Sequence, residues 1–332
     1  MRSPLFIMLL LVALPSAGAA TTLGISETHF TINGRPTFLL GVSYYGGLGA
    51  SRASVTQDLD DCRRLGFNWL RVWATWDAWG DDVSAVNRDG APREPYLKKL
   101  RWLVGECNRR AMIVDVTLTR GPLLPTQEAH LAAVRTIVGS LREYSNWYLD
   151  LANERNIRDA RYVSIEELQA LRAEAKKLAP TLLITASQGG DVSAKDLEDY
   201  LSRAQLDFVT PHRPRDKSSP ARTADATRRC FPQMEKLGRL APVHYQEPFR
   251  RGYDPSHWEP TARDFAADLQ GAIAGGAAGW CLHNGGQRGA PGEEPRRSFD
   301  MRRHRLFDQF DAEERAFLDG LVAVPASGSA RP

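Results

Sequence analysis

From Phe38 onward the chain alternates between short, mostly apolar runs and longer stretches in which apolar residues recur every three or four positions. The first pattern predicts a buried strand and the second a helix with one face in a core. The strand-like runs are "FLLGVSYY", "FNWLRVWATW", "AMIVDVTLT", "NWYLDLANE", "TLLITAS", "LDFVTPH", "APVHYQE" and "AGWCLHN". The helical segments that follow them in turn are "SVTQDLDDCRRLG", "PYLKKLRWLVGECNRR", "TQEAHLAAVRTIVGSLREY", "SIEELQALRAEAKKLAP", "SAKDLEDYLSRA", "ARTADATRRCFPQMEKLG" (its end broken by Pro232), "TARDFAADLQGAIAGGA" and "RLFDQFDAEERAFLDGLVA". Short apolar strands that each feed an amphipathic helix imply βαβ units and a parallel sheet.

Eight such units in about 280 residues match an α/β fold of the closed (β/α)8, or TIM-barrel, type. The rival is an open, doubly wound sheet. It calls for a glycine-rich phosphate loop after an early strand, and "GVSYYGGLGAS" has glycines without the G-x-G-x-x-G spacing. Ahead of the first unit, "HFTINGRPTFLLGVSYY" predicts an N-terminal β-hairpin about Asn33-Gly34, its second arm ending in the first barrel strand. Nothing in the chain suggests a linker or a second domain. One catalytic-type domain is expected over residues 21–322, with a disordered Ala/Ser/Gly/Pro tail over 323–332.

The first residues change the picture of where the protein works. Met1-Arg2, the apolar run "LFIMLLLVALP" and small residues at Ala17-Gly18-Ala19 form a secretory signal peptide, expected over residues 1–20. No later segment is long and apolar enough to span a bilayer, so a secreted or periplasmic protein with no membrane contact after cleavage is expected. A net charge of +3, with basic residues scattered, argues against a nucleic-acid partner. Cys62, Cys107, Cys230 and Cys281 are far apart, with no C-x-x-C pair. Four buried thiols are expected, and a Cys62–Cys107 bridge remains open in an oxidising compartment. The seven histidines are dispersed, without H-x-H or H-E-x-x-H, so neither metal nor cofactor is expected. The chain is expected to act as a monomer.

Barrel active sites lie at the C-terminal ends of the strands, which turns the strand assignment into a list of candidates. Strand 2 ends around Arg71, Trp73 and Trp76, and strand 4 in Asn153-Glu154. Strand 6 ends in His212, strand 7 in Tyr245 and Glu247, and strand 8 in Trp280, His283 and Asn284. Two carboxylates on one rim, among aromatic and basic groups, suit glycosidic bond cleavage: one protonates the leaving oxygen while the other attacks the anomeric carbon or activates water. A cation such as Arg71 would keep one glutamate ionised, and its negative charge would keep the other protonated as the acid. Arg71 as a structural partner of Asp115 or Asp150 is the alternative. Tyr44 and Tyr45 end strand 1, where alternation allows only one to face inward.

These residues resemble the clan of retaining (β/α)8 glycoside hydrolases that includes cellulases and β-mannanases. "DLANERN" is similar to that clan's "ELANEP"-type motif at the end of strand 4. The resemblance implies an acid/base role for Glu154 and a substrate 2-hydroxyl contact for Asn153. "PVHYQEP" stands at the strand-7 position and implies a nucleophile at Glu247. "LRVW" matches the strand-2 arginine with Arg71, while His212 and Trp280 match the clan's strand-6 and strand-8 site residues. "FTINGRPTFLLGVSYY" is similar to the clan's opening turn. The expected substrate is therefore a carbohydrate, contacted by Arg71, Asn153, His212, Tyr245 and Trp280. A non-catalytic sugar-binding barrel and a transglycosylase are the alternatives on the same scaffold. The chain departs from the clan pattern at Arg155, where proline is common, and in "IVDVTLT", which lacks a histidine. With no subfamily signature, the particular sugar does not transfer. Arg213, Arg215, Lys217, Arg250 and Arg251 follow strands 6 and 7, either as solvated loop charge or as partners for a uronic or sulfated sugar.

Overall fold

The structure, a computed structural model, describes residues 20–78, 81–252, 258–284 and 299–322. The expected signal peptide, apart from Ala20, and the expected C-terminal tail lie outside the described residues.

The eight apolar runs are eight parallel strands: β1 Leu39–Tyr44, β2 Trp69–Trp73, β3 Ile113–Thr117, β4 Trp147–Asp150, β5 Leu183–Thr185, β6 Thr210–Pro211, β7 His244–Tyr245 and β8 Gly279–Leu282. A continuous sheet runs β5-β4-β3-β2-β1-β8-β7. An extension of β5, Ser187–Gln188, pairs in parallel with β6, and a Val209–Val243 bridge joins β6 to β7. The ring is thereby closed, as a (β/α)8 barrel requires. The helices are α1 Arg52–Arg64, α2 Tyr96–Arg109, α3 Gln127–Leu141, α4 Ile165–Leu178, α5 Ala194–Leu197 (continued by a wider turn over Glu198–Arg203), α6 Ser219–Lys236, α7 Ala262–Gly275 and α8 Ala312–Val322. Among the described residues no helix is long and apolar enough to cross a membrane.

Local chemistry sets the helix ends. Ser164 accepts from the backbone of Glu167, and the Glu167 carboxylate accepts from the Ser164 N–H, so both open α4. Gly276, at φ 86°, closes α7 in the left-handed conformation that glycine adopts most readily. Pro232 was expected to break α6, but the helix continues through it to Lys236. The proline forfeits one backbone bond close to the helix end, and the last turn is still closed by the Leu237 N–H donating to the Gln233 carbonyl.

Period-two alternation divides the strand residues between two cores. Outward residues such as Val42, Leu70, Val72, Val114, Leu149, Tyr245, Trp280 and Leu282 pack with the helices. Inward residues Leu39, Trp69, Ile113, Tyr148 and Phe208 fill the barrel floor together with Phe30. Phe30 comes from the N-terminal segment, where the expected hairpin about Asn33-Gly34 is present and is joined by a third strand. The second arm about Asn33-Gly34 is only Arg35–Pro36, a preceding strand Leu23–Ser26 pairs with His29–Ile32, and Leu39–Tyr44 belongs to the barrel. The three short strands close the barrel's lower end. Space inside the ring is tight: a Cβ on Gly279 would lie 2.3 Å from the His244 ring. Small residues therefore mark the inward positions of β8.

Candidate active site

Above the apolar floor, the inward positions turn polar. Arg71 on β2 is fully buried and is the hub of this layer. Its Nε lies 3.2 Å from Asp115 Oδ2 on β3, and its Nη2 lies 3.0 Å from Asp150 Oδ2 on β4 and donates to Asn153 Oδ1 at 3.0 Å. Its Nη1 donates a short bond to Glu247 Oε1. The two roles that sequence left as alternatives are thus combined in one guanidinium, which pairs with both interior aspartates and reaches the rim. Burial opposes its charge, but Glu247, Asp115 and Asp150 together hold its pKa above the ordinary arginine value. Burial also pushes the Asp115 carboxyl up to about 8, opposed by Arg71 and reinforced by Asp150.

Glu154 and Glu247 meet at the top of the barrel. Glu247 lies just past β7 and is buried; its Oε1 also accepts from Tyr45 at 3.0 Å. Glu154 follows Asn153 after β4, at φ 46°, a left-handed conformation costly for a side-chain-bearing residue and characteristic of functional sites. His212 Nδ1 lies 3.3 Å from Glu154 Oε1 and 3.5 Å from Glu247 Oε2. Arg215 Nη2 spans the same two oxygens, at 3.2 and 2.7 Å. Arg161 Nη1 holds Glu154 Oε2 at 2.5 Å.

This setting overturns one expectation. Burial alone would raise the Glu154 pKa, but the His212 hydrogen bond and the Arg215 charge outweigh both burial and the Glu247 charge, bringing it down to about 2. Glu247 is held well below the ordinary range as well: burial is outweighed by the two histidines, Arg71 and Arg215. In the resting site both carboxyls are ionised, whereas a protonated acid at Glu154 was expected. The sequence argument placed one cation beside one glutamate; the structure adds Arg161 and Arg215 beside the other.

His283, inward on the continuation of β8, completes the surroundings of Glu247. Burial pushes its pKa well below the ordinary value. Its Nδ1 donates to the Pro248 carbonyl at 3.0 Å, leaving Nε2 to accept from Arg250 at 3.2 Å. The Tyr45 hydroxyl lies 3.0 Å from both Nε2 and Glu247 Oε1, so its one proton serves these two acceptors. Tyr45 is therefore the inward tyrosine of β1, while Tyr44 points outward and donates to Asp58 of α1 at 2.9 Å.

Arg71, Asn153, Glu154, His212 and Glu247 are brought together as expected, but Tyr245 and Trp280 are not. Tyr245 faces the helices, its hydroxyl 2.7 Å from Thr227 Oγ1 on α6. Trp280 also faces the helix layer, donating to Asp268 of α7 at 2.7 Å and packing against Phe317 of α8. Each lies one position out of register with the inward face, where His244 and Gln246 on the β7 side and Cys281 and His283 on the β8 side point. The aromatic wall comes instead from strands 1 and 2. Tyr45 stacks on Trp73 with centroids 5.0 Å apart, and Trp76 lies 4.7 Å from Tyr45. They line a cleft of about 330 Å³ with Asn153, Glu154, Glu247 and four arginines: Arg120, Arg161, Arg215 and Arg250. Of the expected rim cations, Arg213 instead pairs with Asp191 and covers the Tyr245 ring, and Arg251 pairs with Asp311.

Glu154, His212 and Glu247 each offer a potential metal-ligand atom within 4.8 Å of the others. The Arg215 guanidinium already bridges both carboxylates, supplying the positive charge that a cation would bring. All four cysteines are buried free thiols.

No family model matches the sequence, and no curated protein matches it either. Solved structures do resemble the fold. A glycoside hydrolase family 5 protein from Bacteroides vulgatus is 17% identical, with a TM-score of 0.61 over 80% of this chain and 62% of that one. The chain thus spans less than two thirds of that relative's length. A family 5 mannosidase from Rhizomucor miehei is 14% identical, with a TM-score of 0.62 over 92% and 97% of the two chains. An endo-β-1,4-mannanase from Thermotoga petrophila is 14% identical, with a TM-score of 0.58 over 87% and 77%. The class defined by these likenesses is one of fold: this chain is a (β/α)8 barrel of the architecture found in family 5 glycoside hydrolases.

Proposed function

We propose that the protein is a retaining glycoside hydrolase, exported by its N-terminal signal and active outside the cytoplasm as one catalytic domain over residues 21–322. The observation that carries this reading is the approach of Glu154 and Glu247 on one cleft wall, with a ligand atom of each within 4.8 Å of the other. Carboxyl groups about 5–5.5 Å apart suit double displacement, whereas inversion needs room for a water at about 6.5–9.5 Å. Arg71 and Tyr45 hold Oε1 of Glu247, so Oε2 is the oxygen directed at the substrate.

In the first step Glu247 Oε2 bonds to the anomeric carbon as the glycosidic C–O bond breaks, and the departing oxygen takes a proton from Glu154. Glu154 then removes a proton from water. The resulting hydroxide equivalent bonds to the anomeric carbon, and the glycosyl ester breaks to release Glu247. Because Glu154 is ionised in the resting site, it takes up its proton as substrate enters and its arginine contacts loosen. The Asn153 oxygen is engaged by Arg71, which leaves its NH₂ for a sugar hydroxyl. Trp73 and Trp76 offer faces for the apolar side of a sugar ring. The mannan-active neighbours make β-mannosides natural first substrates to test.

Azide tests both roles together. In Glu247→Ala it enters from the face that the nucleophile occupied, so the glycosyl azide has the inverted configuration. In Glu154→Ala it attacks the glycosyl-enzyme and the product is retained. Unchanged turnover in either variant refutes the assignment.

A further inference from the structure

We infer that the sugar at the scissile bond is anionic, carrying a carboxylate or a sulfate ester, and that Arg215 is the residue that leaves the two glutamates to bind it. This inference rests on the glycosidase reading and deepens it. Arg215 Nη2 lies 2.7 Å from Glu247 Oε2, the oxygen that must reach the anomeric carbon, and 3.2 Å from Glu154 Oε1. One guanidinium nitrogen therefore stands where the reacting bond has to pass. With Arg215 in place neither glutamate can act, so substrate binding requires it to move.

What replaces it decides the substrate class. Glu154 and Glu247 are ionised neighbours in a poorly solvated site, and withdrawing their shared cation leaves like charges facing each other. A neutral sugar offers hydroxyls in return, which do not replace the lost ion pairs of the arginine. An anionic sugar offers Arg215 a new partner of the same kind, and the fork geometry of a guanidinium suits a carboxylate or sulfate. Arg120, Arg161 and Arg250 line the same cleft, so the migrating arginine moves within a basic wall. The exchange also helps the chemistry. As Arg215 turns to the substrate, Glu154 loses one of the charges that keep it ionised and gains an anion nearby. Both changes raise its affinity for the proton it has to donate. Arg213, two residues earlier on the same loop, is tied to Asp191, Ser219 and Thr223, so the loop base stays fixed while the Arg215 side chain swings.

The test compares matched aryl glycosides on the full chain. The pairs are 4-nitrophenyl β-glucuronide against β-glucoside, β-galacturonide against β-galactoside, β-mannuronide against β-mannoside, and each neutral glycoside against its 6-sulfate. The uronide and sulfate arms separate the two anion sources. An acidic member is expected to exceed its neutral partner in kcat/KM by about 10- to 100-fold, the value of one charged hydrogen-bonded contact. Arg215→Gln should remove that advantage, and Arg215→Lys should keep part of it. If neutral partners are cleaved as fast as acidic ones, or if the preference survives in Arg215→Gln, the inference is overturned while the glycosidase reading stands. If no glycoside is cleaved, the glycosidase reading falls, and calorimetric titration of D-glucuronate, D-galacturonate and glucose 6-sulfate against glucose and galactose decides the inference. Binding of an acid that depends on Arg215 supports it, and its absence overturns it.

Discussion

Replacing Arg71 with methionine keeps most of the side-chain volume and removes the one cation shared by Asp115, Asp150 and Glu247. Removing one partner of a buried ion pair costs about 3–5 kcal/mol, because the remaining charge is stranded in a poor solvent. Arg71 serves three carboxyls and is fully buried, and its guanidinium also lies 4.6 Å from the Trp73 ring centroid. We therefore expect the upper end, about 5 kcal/mol, or roughly 8 °C in Tm for a domain of about 300 residues. The deficit should depend on pH. In the variant, the stranded carboxyls have raised pKa values, so the folded state binds protons that the unfolded chain has released above about pH 4. Its stability then falls as pH rises toward 8. In the wild type the Asp115 carboxyl is already raised, to about 8, so part of that fall with rising pH is present there too. Glu154 and Glu247 have depressed pKa values, so their contribution is present above their unfolded pKa and is lost as pH falls through the folded value, about 2 for Glu154. The gap between the two proteins should be widest near pH 7.5 and narrow near pH 4.5. Thermal unfolding at those two pH values measures it. Arg71→Lys should fall between them, since an ammonium cannot reproduce a fork that reaches three acids. A deficit below about 1 kcal/mol, or one equal at both pH values, would refute the hub role, since a surface-like pair would behave that way.

Two further outcomes follow from the same geometry. Tyr45→Phe removes a donor to Glu247 Oε1 and should lower kcat by about 10- to 100-fold with little change in Tm, measured by steady-state kinetics beside thermal unfolding. Trp280→Phe and Trp73→Ala should separate. The first removes one of two donors to the buried Asp268 carboxyl and should lower Tm without altering KM, while the second removes cleft wall and should raise KM.

Much of the barrel was legible because each strand run is apolar on both faces and each helix carries its own period and boundary signals. Asn153-Glu154 and Glu247 were legible for a related reason, since both follow strand runs at the rim where barrel sites lie. What the sequence obscured was which face each side chain takes. Trp280 and Tyr245 are large and aromatic, and such residues occur on both faces, since Trp69 and Tyr148 fill the barrel floor while Trp280 and Tyr245 pack against the helices. On β1 and β8 the inward positions are the small residues Gly41, Ser43, Gly279 and Cys281, and this series, continued by two-residue steps, points to Tyr45 and His283. Arg215 and Arg161 lie on loops, where no periodicity says whether a cation faces solvent or a carboxylate. The depressed pKa of Glu154 depends on His212 together with Arg215, and the loop arginine was out of reach from strand patterns alone. The hairpin was legible in its Asn33-Gly34 reversal but not in the length of its second arm, which an Asn-Gly turn does not fix.

The most direct measurement is intact-mass and peptide mapping of the protein after reaction with a 2-deoxy-2-fluoroglycosyl fluoride, which slows release of a glycosyl ester more than its formation. The account predicts a single adduct on the peptide containing Glu247, absent in Glu247→Gln. An adduct on another residue, or turnover of an ordinary substrate to a product of inverted anomeric configuration, would contradict it.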